Sequence, residues 1–357
     1  MTIIIAEAGV NHNGDTALAF KLVDAAHSAG ADIVKFQTFK AKNLVTEHAP
    51  RAEYQISSTQ KDESQLAMLS RLELSYQTHH ELVAHCKSIG IEFLSTAFDS
   101  ESLDFLVNDL KLRRLKIPSG ELTNAPLVLE HARTGCELIV STGMANLADI
   151  EMCLSVIAFG YSEPNSAEPS LDAFQAAYVS ERGQRALKEN VIILHCTTEY
   201  PAPMGDINLK AMHTLGEVFG LPAGYSDHSE GIVVPVAAVA RGAVMIEKHF
   251  TLDQSMEGPD HGASLNPKEL SDMVQAIRHV ELALGSGVKL PSAIESKNKL
   301  VARKSVVASD KIKIGDVFTI ENLAIKRPGT GISPYKFWDL LGTSSNQEYL
   351  PGDLIIE

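Results

Sequence analysis

Eight short apolar runs, each ending in a cluster of polar side chains, recur along roughly the first 250 residues of the chain. The first four are Ile3-Ile4-Ile5-Ala6-Glu7, Ile33-Val34-Lys35-Phe36-Gln37, Phe93-Leu94-Ser95-Thr96 and Leu115-Lys116-Ile117-Pro118-Ser119-Gly120-Glu121. Leu138-Ile139-Val140-Ser141-Thr142-Gly143, Val191-Ile192-Ile193-Leu194-His195-Cys196-Thr197, Gly224-Tyr225-Ser226-Asp227-His228 and Val244-Met245-Ile246-Glu247-Lys248-His249 complete the series. Continuous apolar runs of this length suit strands buried on both faces. Helix-like stretches separate most of them, so the pattern predicts a (β/α)8 TIM barrel. The polar clusters all fall at the strand ends, where barrels of this kind carry their active sites.

The intervening stretches repeat with helical period. Leu18, Leu22, Val23 and Ala26 share a face after the Asn13-Gly14-Asp15 turn and before Gly30. Leu82, Val83, Cys86 and Ile89 do so before Gly90, and Leu209, Met212, Leu215 and Val218 before Gly220. Leu270, Val274, Ile277, Val280 and Leu284 form the last such face, which closes at Gly285. Two connections, about 38–75 and 160–186, are too long for a plain strand–helix unit and read as lids, substrate walls or oligomer contacts, or as passive insertions. Beyond 285 the character changes. Residues 286–299 read as a linker, and 300–357 as a small, mostly β domain. Its strand-like pieces are Ser305-Val306-Val307-Ala308, Leu323-Ala324-Ile325-Lys326 and Leu354-Ile355-Ile356. Arg327 sits there in a Gly- and Pro-rich turn.

The net charge of −14 argues against nucleic acid or an anionic membrane as partner, because both require a basic surface. No apolar stretch reaches the roughly 20 residues that a membrane span needs. The chain opens on a strand-like run rather than a secretory pattern, and its four cysteines lack CxxC spacing. A cytoplasmic location with reduced thiols is the expectation.

His228 and His249 fall at the ends of neighbouring strands, with Glu7 at the end of the next. Two imidazoles so placed can share a divalent ion (Mn2+, Mg2+ or Zn2+) acting as a Lewis acid. The alternative is a pair of hydrogen-bonded core histidines. His195 is read as a barrel-wall residue. Lys35 and Lys116 lie inside apolar strands, where lysine is rare without a partner. They either pair with Glu7 or Glu121, or form an anion cradle with the hydroxyls of Thr96, Ser119, Ser141 and Ser226. A Schiff-base lysine ranks below both. Neither a P-loop nor a dinucleotide-binding glycine motif is present.

Several of these clusters together resemble the sialic acid synthase family. They are Ala6-Glu7-Ala8-Gly9-Val10-Asn11-His12-Asn13-Gly14, Val34-Lys35-Phe36-Gln37-Thr38, Lys116-Ile117-Pro118-Ser119-Gly120-Glu121 and Ser141-Thr142-Gly143-Met144. Gly224-Tyr225-Ser226-Asp227-His228, Glu247-Lys248-His249-Phe250-Thr251 and Gly258-Pro259-Asp260-His261 extend the match, and Lys326-Arg327-Pro328-Gly329 resembles the family's antifreeze-like (SAF) domain. The resemblance implies condensation of phosphoenolpyruvate with an N-acetylmannosamine-type sugar to a nine-carbon 2-keto acid, with release of phosphate. It also implies a divalent cation, Mn2+ or Mg2+, and a homodimer in which each SAF domain caps the partner's barrel. Carried over by position, His228 and His249 become the metal ligands and, with Glu7, the catalytic groups. Lys35, Thr96, Lys116, Ser119, Ser141, Thr198 and Ser226 become the phosphoenolpyruvate contacts. Gln37, Glu121, Tyr200, Asp260 and Arg327 face the sugar. Thr198 stands where N-acetylneuraminate-making relatives can carry an asparagine, and the Thr-Thr-Glu-Tyr form is similar to that of bacterial legionaminic acid producers. Thr198, Glu199 and the 160–186 excursion are therefore expected to read the sugar, either N-acetylmannosamine or 2,4-diacetamido-2,4,6-trideoxymannose. A synthase of the same fold acting on a phosphorylated aldose is the competing reading. A carbohydrate- or ice-binding module on an inert barrel is a remote one.

Overall fold

Strands β1 (Ile3–Gly9), β2 (Ile33–Thr38), β3 (Glu92–Ala97) and β4 (Arg114–Ile117) form half of a parallel barrel in the computed structural model, which describes residues 1–51 and 63–356. β5 (Glu137–Ser141), β6 (Val191–His195), β7 (Ala223–Asp227) and β8 (Met245–His249) complete it. Each strand pairs with the next, and β8 returns to β1 in parallel register, so the sheet closes. Alternate side chains on a strand share a face. Ile5, Ile33, Leu94, Ile139, Leu194 and Met245 thus fill the barrel as a buried apolar cluster. Two residues further along come Glu7, Lys35, Thr96, Ser141, Cys196 and Glu247. A charged and hydroxylic layer therefore lies directly beyond a dry floor.

The expected helices surround this sheet. Thr16–Ala29 starts where the Asp15 carboxylate accepts from the N–H groups of Ala17 and Leu18, at 2.6 and 3.2 Å. It buries Ala19, Leu22, Val23 and Ala26, with Leu18 left half-buried. Fully burying a side chain of the size of Leu22 or Val23 contributes about 1.5–3 kcal/mol. Two other expected faces run too far. Val218 is 54% exposed and Leu284 52%, because each lies in the last turn of its helix and points past the sheet. On the outer side of β7 and β8, Lys248 Nζ donates to Asp227 Oδ2 at 2.6 Å and to the carbonyl of Ser229. Both side chains are fully buried, and the two residues are register partners.

The two long excursions differ in fate. Residues 52–62 of the 38–75 excursion lie outside the described residues. Its remainder forms the helices Ala41–Leu44 and Gln65–Leu72, which pack Phe39, Leu44, Met68, Leu69 and Leu72 with Val10 and Phe98. The 160–186 excursion is largely helical, with Leu171–Val179 leading into Glu181–Asn190. It packs on the outer ring, where the Phe159 and Phe174 rings lie 5.2 Å apart.

The chain divides at Gly285/Ser286 into two compact units. The second has its own core of Val306, Ala308, Ile312, Phe318, Leu323, Ile332, Tyr349 and Ile355. β9 (Ser305–Ala308) pairs antiparallel with β10 (Leu323–Lys326). The third strand-like piece is reduced to one bridge, Val307 with Leu354. The stretch read as a linker is not extended throughout, since Ala293–Ala302 is helical. Ser292 and Glu295 form a capping box there, a Ser-x-x-Glu signal that the linker reading passed over. All four cysteines are free and buried. Among the described residues, no helix is long and apolar enough to cross a membrane.

Candidate active site

Strand periodicity aims four ionisable groups into the barrel mouth. Lys35 Nζ lies 2.8 Å from Glu7 Oε2, 3.1 Å from Thr96 Oγ1 and 3.6 Å from Glu247 Oε2. Lys116 Nζ donates to both oxygens of Glu247, at 2.7 and 3.0 Å, and Ser226 Oγ donates to Glu247 Oε1 at 2.9 Å. The ion pair considered for Lys116 is thus made with Glu247 instead of Glu121. Glu121 sits one short turn beyond β4, where its Oε2 accepts from Asn124 at 2.7 Å. Glu247 is the group that sequence reasoning undervalued. Its position two residues before His249, on the same strand face, was the available signal.

Burial sets the protonation of this quartet, and the partners modulate it. Desolvation pushes the Glu7 carboxyl up to about 7; Lys35 opposes the rise and Glu247 adds to it. Burial also pushes Glu247 upward, but Lys116 and Lys35 outweigh it and hold this carboxyl below the usual range. Burial lowers Lys116, with Glu247 opposing. For Lys35 the fields of Glu247 and Glu7 overcome burial, and the ammonium is reinforced. The quartet therefore holds a reinforced Lys35 ammonium, a Lys116 whose charge burial opposes and Glu247 supports, one firm carboxylate and one carboxyl that titrates near neutrality.

Hydroxyls and a backbone N–H line the adjacent wall. The N–H of Gly143 donates to Ser119 Oγ at 2.9 Å, and Cys196 Sγ lies 3.2 Å from the same oxygen. Ser141 Oγ and Thr198 Oγ1 are buried without a hydrogen-bond partner. A Cβ on Gly143 would stand 2.2 Å from Thr198 Oγ1 and 2.8 Å from Ser119 Oγ, so any side chain there must displace these hydroxyls.

The two histidines meet at the ends of β7 and β8, with ring centroids 5.6 Å apart. His228 Nδ1 lies 2.6 Å from the carbonyl of Thr197, which can only accept; Nδ1 therefore carries the proton and Nε2 presents a lone pair. Tyr200 OH is 3.1 Å from that Nε2. Burial drives His228 down to about 4, and burial with the field of His228 drives His249 well below its ordinary value. Both rings are neutral near pH 7. His249 Nδ1 is buried without a hydrogen-bond partner, 3.7 Å from Asp260 Oδ2. Burial raises the Asp260 carboxyl to about 6, against the pull of Lys35. No three-residue group of metal-binding side chains is preformed among the described residues. Two neutral imidazoles, one with a directed lone pair and one orphaned, nonetheless fit a divalent ion whose other ligands are oxygens.

Every barrel residue assigned a catalytic, metal or substrate role from the sequence, except Glu199, lines one cavity of about 340 Å³ at this mouth. Gln37 completes the set, 3.4 Å from Glu7 Oε1. Arg327 belongs to the second unit, where its Nε–H donates to the carbonyl of Ala302 at 3.0 Å. His195 is held in the wall, its Nε2 2.7 Å from the Ile207 carbonyl. The 160–186 excursion and Glu199 contribute nothing to the cavity lining; the 38–75 excursion contributes Phe39, Leu44, Val45, Gln65, Met68, Leu69 and Leu72. Of the residues expected to read the sugar, Thr198 thus lines the cavity, whereas Glu199 and the 160–186 excursion do not. The β5–β6 excursion folds against the outer helices, and the described part of the β2–β3 excursion lines the mouth.

The NeuB family pattern matches residues 22–289, three-quarters of the chain, spanning seven of the eight strands. The chain belongs to the NeuB family. Among its NeuB relatives, the N,N'-diacetyllegionaminic acid synthase of Campylobacter jejuni is 48% identical over 356 residues, covering 100% of this chain and 99% of that protein. The enzyme of the same name from Legionella pneumophila is 43% identical, over 99% of this chain and 93% of that one. In three dimensions, the chain is similar to the N-acetylneuraminic acid synthetase of Leptospira borgpetersenii, at a TM-score of 0.66 and 31% identity. That match covers 83% of this chain and 90% of the solved one.

Proposed function

We propose that the chain condenses phosphoenolpyruvate with 2,4-diacetamido-2,4,6-trideoxymannose to give N,N'-diacetyllegionaminate and phosphate. The observation that carries this reading is the 48% identity, across essentially both full lengths, with the C. jejuni synthase of that product. The charge of the cavity supports it. Lys35 and Lys116 are the only cations among its described lining residues, and both are engaged with carboxylates. They suffice for one anionic donor and leave no basic cluster for a phosphorylated acceptor, which disfavours the phosphorylated-aldose reading.

In this reading Lys35 and Lys116, with Thr96, Ser119, Ser141, Thr198 and Ser226, hold the donor's carboxylate and phosphate. Gln37, Glu121, Tyr200 and Asp260 orient the acceptor, and Arg327 of the partner subunit closes over it from the small C-terminal domain, which we assign to the SAF type. His228 and His249 would hold a divalent cation, Mn2+ or Mg2+, whose chemistry is Lewis-acid polarisation of a carbonyl oxygen. Carbon 3 of phosphoenolpyruvate forms a bond to the aldehyde carbon, and water adds at carbon 2. The carbon–oxygen bond to phosphate then breaks, and the phosphate leaves with that oxygen. The lysines and hydroxyls stabilise its charge, each such contact contributing about 2–4 kcal/mol in the transition state. Glu7, poised between its two protonation states, is placed to exchange a proton with the added water or the departing group. The four free cysteines fit a reducing compartment, so the reading places the enzyme in the cytoplasm.

The test is incubation of purified protein with phosphoenolpyruvate, Mn2+ and a panel of sugars, following phosphate release and product mass. Turnover of the diacetamido sugar, abolished by a chelator and restored by Mn2+, is the expected result. Release only with a sugar phosphate would establish the competing reading.

A further inference from the structure

The 38–75 excursion covers the cavity with a wall unlike the rest of it. Among the described residues, none of the lining residues it contributes is charged, and Gln65 is the only polar one. Met68 and Leu72 are buried, whereas Leu44, Val45 and Leu69, with neighbouring Phe98, are only half-buried. They turn apolar surface toward the cavity that the floor and outer core do not cover. Opposite stand the lysines, carboxylates, histidines and hydroxyls already described. The cavity is therefore two-faced: one face suits the reacting anion and aldehyde, the other an apolar group.

Resting on the proposed reaction, we infer that this wall selects the acceptor by its far end. It takes up a deoxy carbon (a methyl) and the methyl of a second acetamido group, and it rejects a hydroxymethyl or a phosphate at the same place. A hydroxyl moved there from water loses hydrogen bonds that Leu44, Val45 and Leu69 cannot return. A phosphate would lose hydration with no cation among the wall's described residues to replace it. A methyl gains contact with side chains that are otherwise part-hydrated. Differences of one methyl in an apolar pocket discriminate by roughly tenfold or more in kcat/KM. Specificity is thus assigned to the β2–β3 connection, and the deoxygenated end of the sugar is what it reads.

The experiment measures kcat/KM for the 6-deoxy diacetamido sugar, N-acetylmannosamine and N-acetylmannosamine 6-phosphate, each with saturating phosphoenolpyruvate. Wild-type protein is expected to favour the deoxy sugar by about tenfold or more. Leu69→Gln keeps a good helix former while making the wall polar, and should cut that preference severalfold without raising KM for phosphoenolpyruvate. Val45→Thr is near-isosteric and lies in extended backbone, so it carries the test if Leu69→Gln does not fold. Both variants losing the two non-phosphorylated sugars in parallel, or an unchanged ratio in Val45→Thr, overturns the inference but leaves the reaction standing. A wild type that yields no product with any acceptor overturns both.

Discussion

Glu7 and Asp260 are the cavity carboxyls that burial raises toward neutrality, to about 7 and about 6. With the Glu7 carboxyl near 7, the buried quartet of Glu7, Lys35, Lys116 and Glu247 gains one negative charge as pH rises through that value. An anionic donor is drawn in better by the protonated state. KM for phosphoenolpyruvate should rise as pH increases through about 7, and Glu7→Gln, which fixes the neutral form, should flatten that rise. A rise of equal size in the variant would assign it to the donor's own ionisation. Gly143 makes a steric prediction at the same scale. In Gly143→Ala, the new methyl would displace Thr198, Ser119 and Cys196, whose Sγ would otherwise lie 3.0 Å from it. Donor KM should rise tenfold or more, as misplacement of a positioned anion contact entails, while the melting temperature falls modestly.

Among the elements, β7 and β8 matter most, because each presents one histidine. Their outward faces are joined by the buried Lys248–Asp227 pair, and their inward faces carry Ser226, His228, Glu247 and His249. Lys248→Met leaves Asp227 buried without its ammonium partner and should cost about 3–5 kcal/mol. Urea unfolding would record it, and Lys248→Met combined with Asp227→Leu should regain most of the loss. This pair marks how much of the fold was legible in the sequence. Runs such as Ile3-Ile4-Ile5 and caps such as Asp15 are local signals, so strands, helices and barrel closure could be read directly. The inward parity of Lys35, Lys116, His228 and His249 followed from the strand period. Which carboxylate meets Lys116 did not, because 131 residues separate it from Glu247. The roles of the two excursions were not legible either. Their composition is polar in both, and only the tertiary path sends Leu44 and Val45 to the mouth while Phe174 goes to the outer ring.

For the whole molecule, the proposed dimer makes each site depend on two chains. Equal mixing of His228→Ala and Arg327→Ala variants gives half hybrid dimers, each with one site intact in both contributions. Activity should return to about one quarter of wild type under random re-pairing. Confirmed subunit exchange without recovery would place Arg327 in its own chain's site. The apolar plug of Ile5, Ile33, Leu94, Ile139, Leu194 and Met245 carries a consequence for traffic. It seals one end, so everything enters and leaves through a single mouth. The proposed donor contacts Lys35 and Thr96 lie within the strands, directly above the plug, whereas Tyr200 and Asp260, proposed to face the sugar, belong to loops beyond the strands. A sugar seated first would block the way to the lysines. Initial-rate kinetics should accordingly be compulsory-order, phosphoenolpyruvate leading, and an unreactive acceptor analogue should inhibit uncompetitively against it.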